Sequence, residues 1–278
     1  MVFKTIWEWI SNTNTFCSMN KNIAIQYYHE NLSESRRILT YMEIIELANE
    51  ISKQLLDMNI NEQLIVLDSD ETYLTIPLIL GILQSNNCFF ICNFNWPENL
   101  LETFLMQLNP SLFICQHPTK KIYDHLFHHA ILSTSILLDN SIDFYRNSSQ
   151  ISYKDIAYVV ASSGSTGIPK LIYVSHACIL PNLIQLKSVF DVTTNDCLFR
   201  STSLTFDVSL IDIFLAIHSG ACLCIFSQEI RQNLKSIATI FNQSQCTIAQ
   251  VCLLFKTKTF YQIILDDTKF LSSNSSTM

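Results

Sequence analysis

The stretch DIAYVVASSGSTGIPK, residues 155–170, runs from an apolar, β-branched segment directly into hydroxyls, glycines and a lysine. The chain has only four glycines in 278 residues, and two of them, Gly164 and Gly167, lie here. A strand that ends in such a loop presents consecutive backbone N–H groups, side-chain hydroxyls and one positive charge, on Lys170. Such a set of donors suits a polyphosphate. The spacing differs from a Walker A motif because the two glycines are too close together and Pro169 precedes the lysine.

An ordinary surface loop is the alternative interpretation of this stretch. Serine, threonine and glycine are common in loops, so the hydroxyls alone do not decide between the two. The ordered string S-S-G-S-T-G-x-P-K is more specific than the composition, and it favours phosphate binding.

Short apolar runs rich in β-branched and aromatic residues alternate along the chain with longer helical patterns. The predicted strands are residues 22–28, 63–68, 88–92, 111–115 and 155–163, and the predicted helices are residues 40–58, 73–84 and 97–108. Pro97 suits the first turn of its helix, where a missing N–H costs no hydrogen bond. This alternation predicts the α/β fold class.

Composition excludes several classes of function. Hydrophobic residues make up 49% of the chain, which indicates a well-buried core, and the net charge of -7 argues against nucleic acid as a partner. The apolar run around LTIPLILGIL is too short to cross a bilayer, so no membrane partner is expected. The N-terminus is a poor signal peptide, with Glu8 in its apolar part. Ten cysteines without a C-x-x-C pair predict buried, reduced thiols in a cytoplasmic protein.

Four motifs in a fixed order identify the chain as similar to the AMP-binding, adenylate-forming ligases. YVVASSGSTGIPKLIYVSH resembles their phosphate-binding signature, and LTYMEI, from Leu39, resembles their early L-T-Y-x-E-L element. LGILQSNNCFFICNFNWP resembles the next motif, with departures at Asn86, Asn87 and Ile91. LTFDVSLIDIFLAIHSGACL resembles the F-D-x-S element. The string looks most like the β-alanine-activating, aminoadipate-semialdehyde-dehydrogenase-like branch, over roughly residues 20–255.

The resemblance implies a fold and a reaction. The fold would be the large N-terminal domain of these ligases, which consists of Rossmann-like mixed sheets with flanking helices. The reaction would join a small carboxylic or amino acid to ATP, with Mg²⁺, to give an acyl-adenylate and pyrophosphate. A phosphopantetheine thiol, on a carrier domain or on coenzyme A, would then accept the acyl group.

The phosphate-binding residues carried over by resemblance are Ser162, Ser163, Gly164, Ser165, Thr166, Gly167 and Lys170. They would hold the departing pyrophosphate. No residue is assigned as catalytic or as a metal ligand. His176, in the family's S-H pair after the loop, is expected to pack or to hydrogen-bond locally.

Asp207 and Phe206 are the predicted substrate-binding residues. In amino-acid-activating members of the family, the aspartate of F-D-x-S receives the substrate's ammonium group, and a carboxylate facing an apolar pocket needs such a partner. The alternative is that Asp207 is a helix-entry residue. Ser209 and Asp212 are expected to form the capping box of the following helix, which would leave Asp207 free for the amine. Phe206 would line the same pocket or the core.

The resemblance fades after CTIAQVCLLF, where Val251 and Cys252 replace an expected proline. The family's adenine, ribose and magnesium motifs and its catalytic-lysine domain do not appear in the sequence. We therefore expect an incomplete large domain over residues 18–255 and a divergent, disordered tail over residues 256–278.

Two functions remain open from the sequence. In the first, the chain is part of an AMP-forming acid-thiol ligase that activates a small, β-alanine-like amino acid. In the second, it is an inactive, truncated remnant that serves as a nucleotide-binding or protein-interaction module.

Overall fold

The protein is described here from a computed structural model, which covers residues 3–12, 21–28, 36–69, 71–93, 95–114, 131–132, 152–162, 170–231 and 233–250. The helices are α1 Ile6–Ser11, α2 Tyr41–Asp57, α3 Thr75–Gln84, α4 Glu98–Leu108, α5 His176–Phe190, α6 Asp207–Ser219, α7 Gln228–Arg231 and α8 Leu234–Ser244. The strands are β1 Ile23–Tyr28, β2 Arg37–Thr40, β3 Leu64–Asp68, β4 Cys88–Cys92, β5 Leu112–Ile114, β6 Ile131–Leu132, β7 Ile156–Ser162, β8 Lys170–Ser175, β9 Cys197–Arg200, β10 Cys222–Phe226 and β11 Ile248–Gln250.

Within the described residues, these strands form two sheets. The six-stranded sheet has the order β6-β5-β3-β4-β7-β8, and the five-stranded sheet has the order β11-β9-β10-β1-β2. Neighbouring strands are parallel except for the antiparallel pairs β7–β8 and β1–β2. The α/β prediction is confirmed, and the predicted strands and helices occur within two residues of their expected ends.

The central strands of the six-stranded sheet are buried on both faces, and alternate residues of β3 show how. Leu64 and Val66 pack in a cluster with α4, whereas Ile65 and Leu67 belong to the large core that contains α2, α3 and α6. Successive side chains of a strand point to opposite faces of its sheet, so one strand can contribute to two layers. Helix α4 therefore covers one face of this sheet, and the central helices cover the other.

The five-stranded sheet repeats this arrangement on the other side of the central helices. Leu198 and Leu223 point into the same large core, whereas Phe199 and Phe226 pack in a cluster with α8. The order of layers is therefore helix, sheet, helices, sheet, helix. Among the described residues, none of the helices has the length and apolar character that crossing a membrane requires.

The L-T-Y-x-E element begins α2 and attaches it to the core. Thr40 and Glu43 form a capping box: the Thr40 N–H donates to Glu43 Oε2 over 2.7 Å, and the Thr40 hydroxyl accepts from the Glu43 N–H. Tyr41 is fully buried and its hydroxyl donates to the Ala221 carbonyl oxygen over 2.7 Å. The motif therefore sets both the start of α2 and its distance from the end of α6.

Helices α2 and α3 are in close contact at Gly81. A Cβ added there would lie 2.7 Å from Ile51 Cγ2 and 2.9 Å from the Ala48 carbonyl oxygen, which is closer than normal van der Waals contact. Because one of these atoms belongs to the backbone, the neighbouring helix itself would have to move.

We expect Gly81→Ala to lower the free energy of unfolding by about 1–3 kcal/mol, since overpacking outweighs the roughly 1 kcal/mol gain in helix propensity. The measurement is reversible urea unfolding. Ser188→Ala, on the exposed surface of α5, is the matched helix control and should be neutral or slightly stabilising. A Gly81→Ala protein as stable as the control would show that the two helices can separate at little cost.

Candidate functional site

The strands on either side of the predicted phosphate loop form an antiparallel hairpin. Ser162, the last residue of β7, is paired with Lys170, the first residue of β8, and its hydroxyl lies 3.4 Å from the Lys170 carbonyl oxygen. Lys170 is exposed. The hairpin therefore fixes the two ends of the loop in register, at the carboxyl end of β7.

A cavity of about 420 Å³ opens beside the end of β7. Its lining is largely apolar and aromatic with a few hydroxyl and amide groups, from Asn93, Trp96, Leu100, Phe104, Ala161, Ser162, Ser203, Thr205 and Phe206. These residues come from the end of β4, from α4, from the end of β7 and from the segment before α6. In parallel α/β sheets, ligands bind at the carboxyl ends of the strands, and this cavity lies there.

The F-D-x-S element forms the entrance to α6. Phe206 is the N-cap residue, about half exposed, and its ring lines the cavity. Asp207 is exposed and is the first helical residue, with its Oδ1 accepting from the Val208 N–H over 2.8 Å. The pKa of Tyr158 on β7 is raised mainly by burial and to a smaller extent by the negative charge of Asp207. The carboxylate is thus near β7, beside the cavity but not in its lining.

The expected capping box of Ser209 and Asp212 is wrong. Helix α6 begins at Asp207, so Ser209 is already its third residue, and the Ser209 hydroxyl donates to the Phe206 carbonyl oxygen over 2.7 Å. Asp212 lies inside the helix. The F-D-x-S aspartate is therefore a helix-entry residue, where its charge faces the positive end of the helix dipole. Both sequence interpretations of Asp207 are compatible with this position.

Asp212 is a buried acid, with its side chain turned into the core and Arg200 close enough to affect it electrostatically. Burial raises its pKa to about 7, and the Arg200 charge opposes that rise. Its Oδ2 has no hydrogen-bond partner among the described residues. A buried carboxyl without such a partner favours its neutral form.

His176 follows the hairpin directly, and its observed contacts with the described residues are structural. It is buried, and its Nδ1 accepts from the Ile6 N–H over 3.2 Å. Burial lowers its pKa, in part offset by the charges of Asp155 and Glu8. The expectation that His176 packs and hydrogen-bonds is confirmed, although its ring pairs with a residue that is distant in sequence.

The structure brings some of the predicted site residues together. Ser162 and Phe206 line one cavity, Asp207 lies next to Phe206, and Lys170 is paired with Ser162. The predictions for Ser163, Gly164, Ser165, Thr166 and Gly167 lie outside the described residues, as does the predicted tail, 256–278. No group of three His, Cys, Asp or Glu side chains suited to a metal occurs in the described ranges.

Sequence reasoning missed most of the cavity wall. Asn93 and Trp96 follow β4 directly, a position at which parallel strands commonly present ligand-binding groups, so strand order could have indicated them. No motif in the sequence distinguishes Ser203 and Thr205 from other hydroxyl residues. Arg200 does not line the cavity, but a charged residue at the end of the apolar strand CLFR could have indicated that the segment after it is functionally important.

The sequence matches the AMP-binding enzyme family over residues 19–267, and the chain belongs to this family. It contains an adenylation-type domain related to amino-acid-activating enzymes.

The curated relatives extend far beyond the matched segment. Over 122 residues, the chain is 38% identical to the "Beta-alanine-activating enzyme" of Danio rerio, an alignment that covers 44% of this chain and 10% of that protein. Over 96 residues, it is 44% identical to the Mus musculus protein of the same name, covering 34% of this chain and 9% of that protein. The matched part of the chain thus spans about a tenth of the length of these relatives.

Solved structures share the fold. VinN in complex with L-aspartate superposes with a TM-score of 0.70 at 16% identity, covering 89% of this chain and 66% of VinN. The N-terminal subdomain of Klebsiella oxytoca NpsA, in complex with 3-hydroxybenzoyl-AMSN, gives 0.69 at 19% identity, covering 89% of this chain and 59% of the other. The predicted large-domain architecture of mixed sheets with flanking helices is confirmed.

We expect Asp212 to make stability fall as pH rises. Between the ordinary aspartate pKa and its folded value of about 7, the folded state keeps a proton that the unfolded chain has lost. The free energy of unfolding should therefore decrease from about pH 4 to about pH 7, and Asp212→Asn should flatten this slope and stabilise the protein above pH 7 by roughly 2–4 kcal/mol.

Urea unfolding at a series of pH values measures this effect. Asp57→Asn, at an exposed aspartate that ends α2, is the matched control and should leave the slope as it is. Parallel curves for the wild type and Asp212→Asn would show that Asp212 is ionised in the folded protein.

Proposed function

We propose that this chain provides the phosphate loop and acid-binding pocket of an AMP-forming acid-thiol ligase that activates a small amino acid with ATP. The observation that carries the proposal is the meeting of two motifs in one cavity. Ser162, at the start of the phosphate loop, and Phe206, of the F-D-x-S element, lie far apart in sequence and line the same space. We assign this function to residues 18–255.

The proposed chemistry is substitution at phosphorus. A carboxylate oxygen of the amino acid attacks the α-phosphorus of ATP, the bond from that phosphorus to the oxygen bridging to the β-phosphate breaks, and pyrophosphate leaves. The loop N–H groups and Lys170 would hold the β- and γ-phosphates while negative charge moves onto them. Such a reaction depends on positioning and on charge neutralisation, and loop donors with an adjacent lysine provide both. A phosphopantetheine thiol would then take the aminoacyl group and release AMP.

Mg²⁺ would act with the nucleotide. Mg²⁺ is commonly held by one or two carboxylates together with substrate phosphates, so a preformed protein cage is not needed.

Asp207 would select an amino acid over a simple acid. Its carboxylate is exposed at the helix entrance beside Phe206, where a substrate ammonium group could pair with it. VinN is a relative in fold whose structure contains L-aspartate, and the Danio rerio relative is a "Beta-alanine-activating enzyme". The NpsA complex contains a 3-hydroxybenzoyl group instead, so the amine preference depends on residues rather than on the fold.

We expect Lys170→Ala to weaken pyrophosphate binding by about 1.5–3 kcal/mol, the range of a charge-assisted hydrogen bond. Binding should also weaken with added salt because the contact is exposed. Titration calorimetry of the 278-residue chain measures both effects. Lys154→Ala removes an exposed lysine from the turn before β7 and is the matched control. Equal pyrophosphate affinities for the two variants would show that Lys170 does not bind the phosphates.

We expect Asp207→Asn to weaken β-alanine binding about tenfold or more while leaving propionate, which lacks the amine, within about twofold. Asparagine keeps an oxygen acceptor for the Val208 N–H, so the helix loses only the roughly 0.3–1 kcal/mol of its charge–dipole term. Ligand-observed NMR with Mg-ATP present measures both acids. An equal loss for both would make Asp207 purely structural. A wild-type chain that binds neither pyrophosphate nor β-alanine would overturn the ligase proposal and favour the interaction module.

A further inference from the structure

Three charged side chains are buried together where the two sheets meet. Glu71 lies in the connection between β3 and α3, and Arg200 is the last residue of β9. Arg200 forms an ion pair with Glu71 through Nη2 and Oε2, and Arg231 Nη2 donates to Glu71 Oε1 over 2.7 Å. The Arg200 side chain is fully buried, that of Glu71 is 3% exposed, and that of Arg231 is 14% exposed. We call these three residues the arginine–glutamate cluster.

The cluster does more than join two sheets, because each arginine also holds a backbone carbonyl. Arg200 Nη1 donates to the Thr202 carbonyl oxygen over 2.9 Å, and Arg231 Nη1 donates to the Ser201 carbonyl oxygen. These two peptides are consecutive. A guanidinium has donors on both arms of a rigid fork, so one arm can bind the carboxylate while the other binds the chain.

The tethered peptides lead directly into the cavity wall. Ser203, Thr205 and Phe206 line the cavity, and they begin one residue after Thr202. The segment closes into a turn in which the Phe206 N–H donates to the Ser203 carbonyl oxygen over 3.1 Å. At its far end, the Ser209 hydroxyl holds the Phe206 carbonyl oxygen. Residues 201–206 are thus fixed at both ends, by the cluster and by α6.

Glu71 is itself held from the other sheet. The Tyr27 hydroxyl, on β1, donates to the Glu71 carbonyl oxygen over 3.0 Å. The backbone that carries the Glu71 carboxylate is therefore held from the five-stranded sheet, and both arginines pair with that carboxylate. Burying three charges is costly, and an apolar contact would join the sheets as well or better. The arrangement gains what an apolar contact lacks, namely directed hydrogen bonds to residues 201–202.

We propose that Glu71, Arg200 and Arg231 are positioning residues that hold residues 203–206 at the depth required for a ligand in the cavity. The ligand class rests on the proposed function, a small amino acid, whereas the positioning of the wall does not. None of the three residues lines the cavity, so their effect is transmitted through the backbone of residues 201–202.

The test replaces the charges without leaving one of them unpaired. The triple variant Glu71→Met, Arg200→Met, Arg231→Met keeps volume and removes all tethers, and Arg231→Lys keeps the charge near Glu71 but loses the fork. Hydrogen exchange followed by NMR should show the Phe206 amide exchanging about tenfold faster or more in the triple variant and by a smaller factor in Arg231→Lys. The Val66 amide in β3 reports on global unfolding, and Lys53→Met, at an exposed lysine of α2, is the control.

The outcomes separate this proposal from the ligase proposal. Faster exchange at Phe206 with unchanged exchange at Val66 supports positioning, and a parallel loss of β-alanine affinity links it to the ligand. Unchanged Phe206 exchange in a folded triple variant overturns it, and so does equal acceleration at both amides in Arg231→Lys. If the wild-type chain binds no β-alanine, the ligase proposal fails, while the exchange result still decides the positioning of the wall.

Discussion

Helices α3 and α6 impose the constraint on which the architecture depends. Nine of the ten residues of α3 and nine of the 13 residues of α6 are buried, including positions on opposite sides of each helix. A helix that is buried on opposite sides cannot lie on a surface and must be covered from more than one direction. The two sheets provide that cover, one from each side, and each sheet is in turn covered on its outer face by α4 or by α7 and α8. Burial of these two helices therefore requires a sheet on each side of them, and the outer helices complete the five layers.

The same constraint places the cavity. Parallel strands of one sheet bring their carboxyl ends to one edge, and in this protein the segments after β4 and β7 of one sheet and after β9 of the other line the same cavity. The apolar walls come from α4 and from the F-D-x-S element, while the polar groups come from strand ends. A pocket of this type binds a small ligand through shape and a few directed polar contacts. The predicted phosphate loop follows β7 in sequence, so the two proposed half-sites, for the acid and for the phosphates, are neighbours through the chain itself.

Charge is handled differently inside the core and at the site. Lys170 and Asp207 are exposed, where their charges are available to a ligand at little cost in desolvation. Arg200 is fully buried, and its charge is acceptable only because Glu71 and the Thr202 carbonyl oxygen meet it. Asp212 lacks such a set of partners among the described residues, and it avoids the cost through a raised pKa. Exposed charges thus remain in contact with solvent, whereas buried charges are either paired or neutralised inside the fold.

The sequence by itself determined the α/β class, the ends of most strands and helices, the family and the two motifs that meet in the cavity. Those features depend on local periodicity and on an ordered string of residues, which are properties of the chain. Tertiary structure alone decided that Asn93, Trp96 and Ser203 face Phe206, because strand order and layer packing bring distant segments together. It also decided that α6 begins at Asp207: burial of Ser209 and Asp212 against the core outweighed the local capping signal that predicted a later start. The pairing of Glu71 with two arginines could not be predicted either, since a buried charge is recognised only when its partners are known.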